Sequence, residues 1–152
     1  MHVKQMIRYL ALAVTGVVLL GPMARAAESS RAGFDDLSHE MSTCAAYFSL
    51  LSSIIEKSDG PEGKAEIARR IKLTSQAMLL QAINVANYIG MHDDAVIERV
   101  QVSLKEMVDT VNDDPPNSLK IMHTKYGQPC DELLQSAPRR FAELLEHVGK
   151  DF

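Results

Sequence analysis

Tryptophan is absent from this chain of 152 residues, and aromatic residues of all kinds make up only 5% of it. That scarcity argues against a site where a sugar would stack on aromatic rings. Glycine and proline are few (8 and 6), and no internal repeat or low-complexity tract occurs. No segment alternates apolar and polar residues for longer than three or four positions, so no strand is expected.

The familiar catalytic signatures are missing too. There is no Cys-x-x-Cys, which removes the usual thiol redox pair, and no Cys-x-x-Cys-His, which removes covalent haem. Neither Gly-x-Ser-x-Gly nor a phosphate-binding loop occurs. His39-Glu40-Met41-Ser42-Thr43 begins like a zinc-protease helix, but Thr43 stands where the second histidine ligand is required.

What is present starts with an export leader. Lys4 and Arg8 precede an apolar run, Tyr9–Leu20, and Gly21-Pro22 leads into Ala24-Arg25-Ala26. The small residues at 24 and 26 fit a signal-peptidase cut after Ala26. The apolar run is about 12 residues long, short of the roughly 20 needed to span a bilayer, so cleavage is expected rather than a retained anchor. Residues 1–26 are therefore read as a signal peptide, 27–34 as a small, polar, flexible N-terminus, and 35–150 as one folded domain. The expected location is the periplasm or the exterior. The leader carries Lys4, Arg8 and Arg25 and no acid, so its loss takes the formal charge from −4 to −7. So acidic a chain is a poor partner for nucleic acid or an anionic membrane surface, and no stable membrane insertion is expected after cleavage.

The expected fold is all-α, a bundle of four to five helices. Asp35–Lys57 has the most regular stripe: Leu37, Met41, Cys44, Phe48, Leu51 and Ile55 step alternately by four and three. Tyr47, Leu50 and Ile54 widen that stripe, which marks a central helix touched from two sides. A second helix is expected over 61–89, starting at Pro61 and stopped by Gly90, with Ile67, Ile71, Met78, Ala82 and Val85 inward. A third starts at Asp93-Asp94 and is stopped by Asp114-Pro115-Pro116. A fourth starts at Asn117 or Ser118, is interrupted or kinked by Gly127 and Pro129, and Pro138 opens a short last helix.

In an exported chain, two cysteines and no more are read as one disulfide, Cys44–Cys130, spanning 86 positions. In the chain-entropy account such a loop stabilises by about 4.5 kcal/mol. Cys44-Ala45-Ala46-Tyr47-Phe48 together with Lys125-Tyr126-Gly127-Gln128-Pro129-Cys130 resembles uncharacterised small helical two-cysteine proteins exported by Gram-negative bacteria. The resemblance implies a compartment and a disulfide but no activity, and no functional residue is carried over from it.

Candidate sites were weighed against plainer roles. Lys64, Arg69, Arg70 and Lys72 form either a docking patch for an anionic partner or, preferably, a solvated face. His39, His92, His123 and His147 with Met41, Met78, Met91, Met107 and Met122 offer copper-type donors, but neighbours on a helix point about 100° apart and methionine on a stripe is core filler. Asp109, Asp113 and Asp114 suit a helix end better than calcium. Tyr47, Tyr88 and Tyr126 are read as core rim before ligand pocket. No catalytic, cofactor or metal residue is assigned. The expected function is a non-enzymatic binding or accessory module for an envelope protein or a small ligand. A carrier of an apolar ligand or metal between helices is the alternative. A small hydrolase using His39 and Glu40 comes last.

Overall fold

A computed structural model describes the backbone of residues 21–58 and 63–150 and the side chains of 28–58 and 63–148. Among them there is no strand. Five α-helices occur: α1 (Gly21–Lys57), α2 (Lys64–Tyr88), α3 (Asp93–Asp113), α4 (Ser118–Met122) and α5 (Gln128–Lys150). A π-helical turn, His123–Gly127, joins α4 to α5, so the chain forms four continuous helical segments. Most of the expected leader lies outside the described residues, and so does Pro61. From Gly21 onward the backbone is already helical.

α1 is the hub, packed against α2, α3 and α5. Its stripe from Phe34 and Leu37 through Met41, Cys44, Tyr47 and Phe48 is buried, and it meets Met78 and Val85 of α2, Val96 and Met107 of α3 and Leu133 of α5 in one core. The α1–α2 contact is built on small residues at sevenfold spacing: Ser38, Ala45 and Ser52 on α1, Ala68, Ser75 and Ala82 on α2, all buried. Running antiparallel, they form rungs. The Ser38 hydroxyl donates to the Ala82 carbonyl at 3.0 Å, and the Ser75 hydroxyl donates to the Ala45 carbonyl at 2.8 Å. Side chains this short bring the two backbones close, and the crossing hydroxyls fix the register without leaving a buried donor unsatisfied.

The disulfide is present as read from the sequence. Cys44 and Cys130 are bonded, with Cα atoms 5.4 Å apart. Gly90, expected to stop the second helix, does so at φ 76°, with the Met91 N–H donating to the Ala86 carbonyl and the Gly90 N–H to the Asn87 carbonyl. Among the described residues the second helix starts at Lys64, after Gly63 at φ 107°.

Two expectations are corrected. Residues 27–34, expected to be flexible, are helical and in part buried, because Phe34 fills an aromatic cluster with Tyr88 (centroids 4.8 Å apart) and Phe141 (5.7 Å). The small residues there serve close packing: a methyl on Gly33 would lie 2.5 Å from a Leu144 methyl. Pro138 does not open a new helix but sits inside α5. The carbonyl its missing N–H leaves without a helical partner belongs to Leu134, a residue 43% exposed, where water can serve.

The expected interruption at Gly127 and Pro129 takes the form of a π-turn, in which the chain stays helical but widens, the Gln128 N–H reaching back to the His123 carbonyl. Ser118, Met122, Tyr126 and Cys130 are all buried at steps of four, and each such step overshoots a helical turn by about 40°. One wide turn absorbs that drift, so the same face stays inward as far as the disulfide. It also eases the carbonyls ahead of Pro129, which a proline ring would otherwise strike.

Candidate functional site

Two places gather the singled-out side chains. The first is a cleft of about 170 Å³ beside the disulfide, lined by His39, Glu40, Thr43, Lys125, Tyr126 and Leu133. Tyr47 and Tyr126, from α1 and the π-turn, are both buried nearby. Burial, and then the Asp131 carboxylate, push the Tyr47 phenol above its ordinary pKa. The Tyr126 hydroxyl is buried and makes no hydrogen bond among the described residues. Lys125 Nζ lies 4.9 Å from the Tyr126 ring centroid, a cation–π contact rather than a hydrogen bond. The Tyr126 side chain is the main influence raising the Lys125 pKa, with Glu106 adding to it. Glu40 is not a free base: Arg140 from α5 grips both its oxygens, Nη2 to Oε1 at 2.9 Å, and this carboxylate is the chief cause raising the Arg140 pKa. Glu40 is thus engaged by Arg140 across the α1–α5 contact.

The second place is a groove along α1 between α2 and α5. The backbones of α2 and α5 stay apart, with no Cα pair within 8 Å among the described residues. Between them Met41 forms the floor, Gln81, Asn84 and Val85 one wall, and Ala137, Pro138 and Phe141 the other, around a volume of about 250 Å³. One end is closed where Tyr88 meets Phe141, ring centroids 6.3 Å apart. Outside this lining, α2 and α5 turn leucines to solvent: Leu80 is 63% exposed, Leu73 49% and Leu134 43%. From Leu73 to His92 the chain carries no Asp, Glu, Lys or Arg, although charged residues make up 24% of the whole. An exposed helical face without charge, studded with leucine and lined by side-chain amides, has the composition of an interface centre rather than of ordinary surface.

Comparison with known protein families, characterised proteins and solved structures finds no match for this chain. The site must be argued from its own residues.

The remaining candidates scatter. His39 lies on α1, His92 just ahead of α3, His123 in the π-turn and His147 on α5. Met41, Met78, Met107 and Met122 are buried core. No group of three or more His, Cys, Asp or Glu gathers to hold a metal among the described residues. Asp114 accepts from the Asn117 side chain at 3.1 Å, a helix-end role. In the basic group, Arg69 and Arg70 both bind Glu66 at 2.8 Å, which lowers the Glu66 carboxyl to about 2. Tyr88, read from the sequence as rim, is rim, half-exposed at the closed end of the groove. The outward leucines of α2 were missed, because inward stripes draw attention to what is buried. The signal available was the loss of all charge after Lys72.

No helix among the described residues is long and apolar enough to cross a membrane.

Proposed function

We propose that this is an exported, non-enzymatic binding or accessory module acting in the periplasm or outside the cell. Its working surface is the uncharged groove between α2 and α5, and its partner there is a protein of the envelope. The observation that carries the reading is the exposed Leu73 and Leu80 on the uncharged part of α2 that also walls a groove floored by Met41. Export is supported by the leader and by the disulfide, which persists in oxidising compartments.

A protein partner fits this surface better than a small apolar ligand. Ligand pockets enclose about 300–1,000 Å³ and bury most of the ligand, whereas this groove is smaller and open along one side. The hydrolase reading is weakened by the Arg140 grip on Glu40, its only carboxylate candidate.

The test is a photo-reactive residue placed at Asn84 in the chain expressed in its own compartment. The expected result is an adduct of one defined mass, with none from the same probe at Gln101 on the outer side of α3. Equal, diffuse labelling from both positions refutes the groove. Turnover of an envelope polymer by the purified protein, abolished by a point substitution, refutes the non-enzymatic reading.

A further inference from the structure

We infer that the partner seated on this face is a second copy of the chain, paired antiparallel through α2 about Ala77. The inference rests on the proposed working surface, taking the outward face of α2 that adjoins the groove at Asn84, and it names the occupant. Leu73, Ala77, Leu80 and Asn84 step by four, three and four, so they form one outward stripe opposite the small-residue face that grips α1. In heptad terms leucine holds one seam position twice, while alanine and asparagine hold the other. That is a seam for a second helix, with one polar residue to set the register. Gln76 and Gln81 flank it where charged residues would select a charged partner.

Charge decides the occupant and the direction. A net-acidic molecule repels its own copies across most of its surface, and repulsion is least where a face carries no charge. A neutral face also offers a charged partner nothing to pair with, whereas it complements itself under a twofold axis. Parallel pairing would bring the Arg69, Arg70 and Lys72 clusters of the two copies together. Antiparallel pairing separates them, placing Arg70 of one copy beside Asn84 of the other and Leu73 level with Gln81, next to Leu80. The small side chain of Ala77 at the axis permits close approach.

The purified protein is expected to sediment with the mass of two chains and to dissociate on dilution. Leu80→Glu, at a residue 63% exposed, should leave the helical spectrum and the disulfide intact while weakening association by about a hundredfold. A second variant reads the geometry directly. Ala77→Cys should form a covalent two-chain species under oxidation, and Gln101→Cys should not. A single-chain mass at every concentration, or equal cross-linking of both variants, overturns the inference. If the Asn84 probe then yields an adduct with a different protein, the groove reading stands and self-pairing alone is wrong. If it yields none, both fall.

Discussion

Gly127 is held by what surrounds it. A methyl there would sit 2.6 Å from His123 Nδ1 and 2.7 Å from the Tyr47 hydroxyl. The histidine is exposed and can swing away, but Tyr47 of α1 is buried and cannot. Alanine would gain about 1 kcal/mol of helix propensity over glycine, against about 1–3 kcal/mol for forced overpacking. Gly127→Ala is therefore expected to lower Tm by several degrees, with Tyr47→Phe in the same chain restoring part of the loss. The neighbouring Tyr126 hydroxyl is buried without a partner among the described residues, a desolvation cost with no return. Tyr126→Phe should raise stability by about 1 kcal/mol in denaturant titration, and an unchanged or lower value would place a partner on that oxygen. Tyr47 also sets an alkaline limit. Its folded pKa is raised, so its contribution is complete below the ordinary phenol range near 10 and is lost as pH climbs through the folded value. Tyr47→Phe should flatten the alkaline arm of the stability profile and leave the neutral region alone.

At the scale of elements, helices with regular inward stripes and strong stops were legible. Leu37–Ile55 on α1 and the Asp114-Pro115-Pro116 stop after α3 were read as they stand. The α1 extension was not, because Ser30, Gly33 and their neighbours look like a polar tail until α5 supplies Leu144 and Phe141 to pack on them. Pro138 was misread because proline reports a lost hydrogen bond but not whether water can replace it. Its cost is nonetheless real. Proline inside a helix is about 3 kcal/mol worse than alanine, offset by up to about 1 kcal/mol from a stiffer unfolded chain. Pro138→Ala should thus stabilise by about 2 kcal/mol in chemical denaturation. The disulfide was legible by counting and the groove was not, because a site defined by missing charge leaves no motif to find. The Ser38–Ala82 and Ala45–Ser75 rungs show the same limit: small residues read as filler until two helices are aligned.

For the molecule as a whole, α5 is the least embraced wall. It meets α1 through the disulfide, the Arg140–Glu40 pair and the Phe34–Phe141 rings, while its backbone stays clear of α2. The ion pair is partly exposed and worth about 1 kcal/mol at most. The disulfide, closing a loop of 86 residues, is worth about 4.5 kcal/mol in the chain-entropy account and outweighs it. Local opening follows the weakest attachments first, so cutting the disulfide should free α5 before it disturbs the α1–α2 ladder. In reduced protein, or in Cys44→Ser, amide exchange should therefore quicken along Gln128–Lys150 while Ser75–Val85 stays protected. α5 carries Ala137, Pro138 and Phe141, so the groove would lose a wall in a molecule that is otherwise folded. Labelling from Asn84 should fall in step with that exchange. Uniform loss of protection in α2 and α5 together would instead make the bundle a single cooperative unit, with the disulfide stabilising all of it rather than the binding face.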